Sequence, residues 1–295
     1  MAGPQTPPTG SSRLERLIVT RPAPEAANWA AALCEQGWPA LALPLIEIAA
    51  PATEHEQQAL SHWRAHWAEA DAIMFVSAAA VKHFFSDAPE RALAPASASA
   101  PSRTRFWAPG PGTARVLAEA LARLGLPPDR IDAPATDAAQ FDSEHLWPVV
   151  AGQVGPGRRV LVVRGTSAGA ADAPDDGQAV AGSGREWLIR QCQAAGAQVQ
   201  GCVAYARRPP VLSAQDLQHV EGAREPGSVW LFSSSEAFTP LQALYPASAW
   251  ARASALVTHP RIAAAAQHSG FGHVVETRPA LADVVRALES TWTPP

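Results

Sequence analysis

Short runs of branched apolar residues recur along the chain. Each closes on a loop-forming residue and leads into an alanine-rich stretch with helical spacing. "RLIVTRP" (16–22), "ADAIMFVSAAAVKHFF" (70–85), "RVLVVRG" (159–165) and "GSVWLFSSSEAFTPL" (227–241) all follow this plan. The runs are continuously apolar rather than alternating, the signature of strands buried on both faces of a parallel sheet. Strands and helices taking turns along the chain, with Pro and Gly clustered between them, predict an α/β fold.

The same pattern is present twice. "RLIVTRP" resembles "RVLVVRG", and the following helix "NWAAALCEQGW" with Trp29, Cys34 and Gly37 parallels "EWLIRQCQAAGA" with Trp187, Cys192 and Gly196. Arg21 and Arg164 are 143 positions apart (164 less 21), whereas Trp29 and Trp187 are 158 apart (187 less 29), so the second copy carries an insert between strand and helix. That insert, 166–184, is small and polar and is expected to be an exposed loop. Ser77 aligns with Ser234, and "FWAPGPGTARVLAEALARLG" (106–125) with "ALVTHPRIAAAAQHSG" (255–270), giving four strand–turn–helix units per half once the exit segments are counted. The exit segments, "WPALALPLIEIAAP" after Gly37 and "AQVQGCVAYARRPP" after Gly196, are both read as extended. They can pair and carry the chain across between two domains, out near Ile46 and back near Tyr205. The expected organisation is a disordered tail over 1–15, a discontinuous first domain of 16–44 plus 211–295, a second domain of 51–197, and linker strands at 45–50 and 198–210.

A chain of 295 residues, 47% hydrophobic, can give two domains a core each. The net charge of −4, with no block of Lys or Arg, gives no electrostatic basis for binding nucleic acid or an anionic membrane. A small-molecule partner is the better expectation. The opening "MAGPQTPPTGSS" lacks an apolar segment, no later stretch has transmembrane length, and Cys34, Cys192 and Cys202 have no paired spacing. These features predict a cytoplasmic protein with reduced thiols. "APASASAPS" (94–102) reads as low-complexity linker.

A set of short motifs in fixed order then resembles the uroporphyrinogen-III synthase family. They are "VTRP" (19–22), "FVSAAAV" (75–81), "GPGTA" (110–114), "DSEHL" (142–146), "VVRG" (162–165), "GRE" (184–186), "VAYARRP" (203–209), "FSSSEAF" (232–238) and "THPRIAAAA" (258–266). The resemblance implies two flavodoxin-like domains with parallel sheets, joined by a two-stranded linker, the first domain discontinuous and the site in the cleft between them. It also implies that no cofactor or metal is needed, and a monomer is expected. Its substrate would be the polycarboxylate hydroxymethylbilane, with a transient contact with the preceding pathway enzyme as a further expectation. In that reaction the linear tetrapyrrole loses a hydroxyl to form an azafulvene, and attack through a spiro intermediate closes the ring with its last pyrrole inverted.

Parallel sheets bind ligands beyond the carboxyl ends of their strands, where Thr20, Arg21, Ser77, Thr113, Arg164 and Ser234 are expected. Carboxylates suit guanidinium groups, hydroxyls and helix N-terminal amides. Gly112 and Thr113 therefore qualify as contacts, or as a plain helix start. Ser77 and Ser234 are either contacts or N-caps, and the two roles are compatible. Neither lies in a nucleophile elbow. Arg21 and Arg164, with Gly165 beside the latter, bind carboxylates or pair structurally with Glu186 or Asp142. Arg185 is a contact or a solvated first-turn charge. Tyr205 matches the family tyrosine proposed to assist departure of the hydroxyl, the alternative being a ring packed at the hinge with its hydroxyl in water. Where "HPRIA" replaces a turn like "GPGTA", Ile262 removes a hydroxyl, and Arg261 either compensates or faces solvent. His259 is expected to pack, as are Trp29, Trp107, Trp187 and Trp230. A two-domain binding module or an inactive relative of the same fold would share these features.

Overall fold

A computed structural model describes residues 12–85, 103–135, 143–167 and 183–294. Its strands are β1 (Ser12–Arg13), β2 (Arg16–Val19), β3 (Ala40–Ala42), β4 (Glu47–Ala49), β5 (Ala72–Phe75), β6 (Arg105–Trp107), β7 (Ile131–Asp132), β8 (Arg159–Ser167), β9 (Gln198–Arg208), β10 (Ser228–Phe232), β11 (Ser254–Val257), β12 (His273–Glu276) and β13 (Trp292–Thr293). Its helices are α1 (Glu25–Cys34), α2 (Glu54–His66), α3 (Ala78–Phe85), α4 (Pro111–Arg123), α5 (Ser143–Val150), α6 (Ser183–Ala194), α7 (Ala214–Gly222), α8 (Phe238–Leu244), α9 (Pro260–His268) and α10 (Leu281–Thr291). The chain divides into two compact units, residues 1–48 with 208–295 and residues 49–207.

In the first unit five strands pair in the order β12-β11-β10-β2-β3, every pairing parallel. Counted along the chain within the unit, that is the 2-1-3-4-5 order of flavodoxin-like sheets. Successive side chains of a strand point to opposite faces, and the two core clusters follow that alternation. Leu17, Val19, Val229 and Leu231 join Ala30 and Leu33 of α1 and Val284 and Leu288 of α10. Ile18, Trp230 and Phe232 join Val220 of α7, Leu241 of α8 and Ile262 of α9 on the other face. Coverage on both faces is why these strands are apolar at every position. The second face is aromatic: Trp230 meets Trp250 edge to face at 5.6 Å, and Trp250 stacks on Phe271 at 5.4 Å.

A six-stranded sheet runs β4-β9-β8-β5-β6-β7, and the strands from β9 to β7 make up that of the second unit. Its β9-β8-β5-β6-β7 portion is parallel throughout. The repeat explains this order. By sequence, β8 and β9 are the counterparts of β2 and β3, while β5 and β6 are the counterparts of β10 and β11. Each unit therefore takes two strands from one half of the chain and three from the other, and both arrive at the same spatial arrangement. The second unit is a circular permutation of the first.

Two details of the repeat differ from the sequence reading. Among the described residues there are five strand–helix units per half rather than four, because β7 leads into α5 and β12 into α10. The segment after Gly37 is also not one extended run. The Leu43 and Leu45 amides on either side of Pro44 still donate to the Val19 and Thr20 carbonyls at the end of β2, and the chain then enters a different sheet at β4. Its counterpart β9 is instead a continuous strand and a full member of the six-stranded sheet. Gly37 and Gly196 owe their match to backbone geometry, since both adopt positive φ (85° and 90°) just past the ends of α1 and α6.

The tryptophans separate into two groups. Trp107 and Trp230 are fully buried, whereas Trp29 and Trp187 are half-buried, the latter edge-on to Trp147. The thiols separate similarly. Burial pushes the Cys192 thiol up to about 11 and that of Cys202 up to about 12, while Cys34 is exposed. Because the thiolate is the reactive form, iodoacetamide at pH 8 should label Cys34 alone in the folded protein and all three cysteines in denaturant. Mass spectrometry of labelled peptides checks this, and rapid native labelling of Cys202 would contradict the burial.

Candidate functional site

The carboxyl edge of the second unit is built where β8 and β9 outrun their neighbours. β5 ends at Phe75, which pairs with Val163, but β8 continues to Ser167. The expected strand end at Arg164 is thus a β-bulge between Arg164 and Gly165, after which Gly165 pairs with Tyr205. Bulges re-aim side chains, and glycine inside a strand often marks a close approach. Here the approach is explicit. A Cβ built on Gly165 would lie 2.3 Å from Cζ of Tyr205 and 2.5 and 2.8 Å from its two Cε atoms. Gly165 therefore serves first as the seat of the Tyr205 ring.

Tyr205 is fully buried, so the alternative that left its hydroxyl in water does not hold. Its hydroxyl accepts a hydrogen bond from Arg207 Nη2 at 2.9 Å and lies 3.3 Å from Ser77 Oγ. The ring of His83 packs against it with centroids 5.4 Å apart. Ser77 ends the turn after β5 and caps α3, its Oγ accepting from the Ala80 amide at 3.1 Å. Arg207 was not singled out from the sequence. The available signal was strand periodicity: two residues beyond Tyr205 on β9, it shares that residue's face.

Arg164 is half-buried, and its Nε has no hydrogen-bond partner among the described residues. Glu186 is described and makes no ion pair with it, and Asp142 lies outside the described residues. The positive charge of Arg164 is felt by Cys202, where it opposes the upward effect of burial on the thiol. Thr113 is buried at the third position of α4, and Gly112 is exposed with nothing within 4 Å of a Cβ placed on it, so packing does not require glycine there. The helix starts from Gly110 with Pro111 in its first turn, which leaves amides of that turn without intrahelical partners. Arg185 falls in the first turn of α6, and its side chain lies outside the described residues. Residues 168–182 of the insert and the linker at 94–102 also lie outside them.

The first unit's edge is occupied differently. Thr20 is buried, and its hydroxyl donates to the Leu231 carbonyl at 2.8 Å, tying β2 to β10. Arg21 pairs with Glu25 at 3.2 Å, one helical turn on. It stacks on Trp29 with Cζ 3.8 Å from the ring centroid. Burial holds its guanidinium below the ordinary value, opposed by the charge of Glu25 and the hydrogen bond to it. Ser234 accepts from the Glu236 amide at 3.3 Å as an N-cap. His259 is exposed and caps α9 through Nδ1, 3.0 Å from the Arg261 amide, so it is a helix cap and not a packed residue. Arg261 faces solvent, and Ile262 enters the core.

Among the described residues no group of three His, Cys, Asp or Glu side chains is placed to hold a metal ion, and no helix is long and apolar enough to cross a membrane.

The model of a family described as uroporphyrinogen-III synthase HemD matches residues 27–286. Among solved structures, a mutant uroporphyrinogen III synthase from the extremely thermophilic bacterium Thermus thermophilus is 17% identical with a TM-score of 0.49, covering 93% of this chain and 99% of its own. The wild-type enzyme from the same organism is 16% identical with a TM-score of 0.40, covering 93% and 98%. No curated protein sequence matches the chain.

The seat of Tyr205 is open to test. Gly165→Ala forces the ring off its partner strand, which should lower stability by about 1–3 kcal/mol through overpacking. In a urea titration this appears as an earlier midpoint, and an unchanged midpoint would mean that the ring relocates freely.

Proposed function

The chain belongs to the uroporphyrinogen-III synthase family, the cyclase of haem biosynthesis that acts on a linear tetrapyrrole, and from that premise we propose how its residues divide the work. The reaction is dehydrative and lyase-type, converting hydroxymethylbilane to uroporphyrinogen III with inversion of the last ring. The substrate carries most of the reactivity. The protein has to bring the two ends together, protonate the departing hydroxyl and shield the cation.

Tyr205 is the proton source. The observation that carries this is its placement: the ring is fixed on Gly165, and the phenol oxygen accepts from a guanidinium that cannot give up its own charge. A phenol so held can release a proton in the transition state, with the developing negative charge facing Arg207. Thr113, the free amides at the start of α4, Arg164 and Arg185 are the proposed carboxylate contacts in the second unit, and Ser234 that in the first. Gly112 serves by leaving the α4 amides uncovered, and its lack of packing neighbours supports that role. In the first unit, Thr20 and Arg21 support the edge through Leu231 and Trp29, while the exposed Arg261 remains able to meet a carboxylate. We assign the protein to the cytoplasm as a monomer with no cofactor, taking its substrate by diffusion or from a transient contact with the enzyme that makes it.

Freshly generated hydroxymethylbilane incubated with the protein, then oxidised and separated chromatographically, distinguishes catalysis from background, because uncatalysed closure gives isomer I. Isomer III above a boiled control is expected. Isomer I alone would contradict the cyclase reading and favour a binding module or an inactive relative. Tyr205→Phe should lower kcat by about 100-fold, the lower end of the contribution of a positioned acid. It should cost about 1 kcal/mol of stability for the lost hydrogen bonds. A kcat close to that of the parent would remove Tyr205 from the acid role.

A further inference from the structure

The proposed proton source is fully buried, so its proton needs a route to the substrate. Counting donors and acceptors at the carboxyl edge of the second unit supplies one. Arg207 can only donate, so the 2.9 Å contact makes the phenol oxygen of Tyr205 an acceptor. The phenol proton must then point elsewhere. Among the described residues, the one other polar atom within hydrogen-bond reach of that hydroxyl is Ser77 Oγ at 3.3 Å. A buried tyrosine hydroxyl ordinarily finds such a partner, which fixes the direction of the bond from Tyr205 to Ser77. Ser77 Oγ also accepts from the Ala80 amide at 3.1 Å. Both of its acceptor positions are thereby filled, and its own proton is left to donate outward. Unlike Tyr205, Ser77 is only half-buried.

We infer that Ser77 is the catalytic residue that hands the proton to the departing hydroxyl, with Tyr205 behind it as the group that replaces that proton and Arg207 as the positioning residue that sets the direction of the chain. The inference rests on the reading of Tyr205 as the proton source and names the atom that touches substrate. In the step, the C–O bond of the hydroxymethyl group breaks with its electron pair leaving on oxygen. The Ser77 O–H proton joins that oxygen to make water, and the Tyr205 O–H proton moves to Ser77 Oγ. The phenolate so formed faces the Arg207 guanidinium. When ring closure restores the aromatic pyrrole, the proton released from carbon returns along the same two oxygens, leaving both side chains as they began. The 3.3 Å separation is long for a hydroxyl pair, and catalytic hydrogen bonds of this kind tighten when substrate binds.

The test compares Ser77→Gly, Tyr205→Phe and the double variant in the isomer assay, using freshly generated hydroxymethylbilane as the probe. Glycine caps helices nearly as well as serine, so Ser77→Gly removes the hydroxyl while keeping α3 in place. Circular dichroism and the thermal midpoint verify folding, and Ser77→Ala provides a second variant. A relay predicts a kcat loss of about 100-fold in Ser77→Gly, matching Tyr205→Phe, with KM within about threefold of the parent. The double variant should be no slower than the slower single by more than about threefold, because residues acting as one unit are not additive. A parent-like kcat in folded Ser77→Gly would overturn the relay. So would a raised KM at unchanged kcat, which marks a carboxylate contact, or a double variant whose loss is the product of the two singles. Isomer III from the parent together with any of these results sinks the relay alone, whereas isomer I alone from the parent sinks the cyclase reading and the relay with it.

Discussion

The arrangement of the candidate site depends on one steric constraint. The Tyr205 ring lies so close to the backbone of β8 that only glycine can occupy position 165 without displacing it. That contact exists because β8 and β9 run past β5 and because a bulge shifts their register by one residue at Arg164. A strand ending at Arg164, as its charge suggests, would leave the tyrosine without a seat. The extension holds the phenol beside Ser77, and Arg207 is carried to the same hydroxyl by the period of two along β9.

The two units show how a duplicated α/β chain makes two similar edges with different chemistry. Corresponding positions in the halves have diverged in use. Arg21 lies over Trp29 and pairs with the first turn of α1, whereas its counterpart Arg164 makes no ion pair among the described residues. Thr113 has its counterpart in Ile262, which fills the core between sheet and helix. Ser77 and Ser234 are both caps, but among the described residues the only tyrosine hydroxyl near either is that of Tyr205 beside Ser77. On the described residues, the paired hydroxyls of Ser77 and Tyr205 and the guanidinium beside them all lie in the second unit.

The sequence made the α/β class legible because both faces of each sheet are covered, and continuous apolar strands are the direct result. The repeat was legible for a related reason: Gly37 and Gly196 hold the same positive-φ position, and the strands they follow occupy the same place in each sheet. β7 was missed because it has two residues and no apolar run, and β12 because its buried character is partial. The division of the segment after Gly37 into β3 and β4 leaves no mark in the hydrophobic pattern, because Leu43, Leu45 and Ile46 between them are buried like strand residues. At the site, Tyr205, Gly165 and Ser77 were found through motifs, but their contacts arise from a bulge that no pattern announces. Arg21 showed the opposite limit. Its partner Glu25 is four residues away on the first turn of α1, nearer in sequence than the carboxylates expected to pair with it.

The most direct test of the central claim exploits the presence of only two tyrosines, Tyr205 and Tyr245. With tyrosine labelled by 13C at Cζ, the protein should give two resonances, assigned by Tyr245→Phe. Tyr245 belongs to the first unit, where its hydroxyl donates to Glu221 at 2.5 Å. Titration with uroporphyrinogen III, kept reduced under anaerobic conditions, should shift the Tyr205 signal with saturation while leaving that of Tyr245 in place. A Tyr205 signal unmoved at saturating ligand would contradict the account, because it would place the tetrapyrrole away from the edge that Gly165, Tyr205 and Ser77 define.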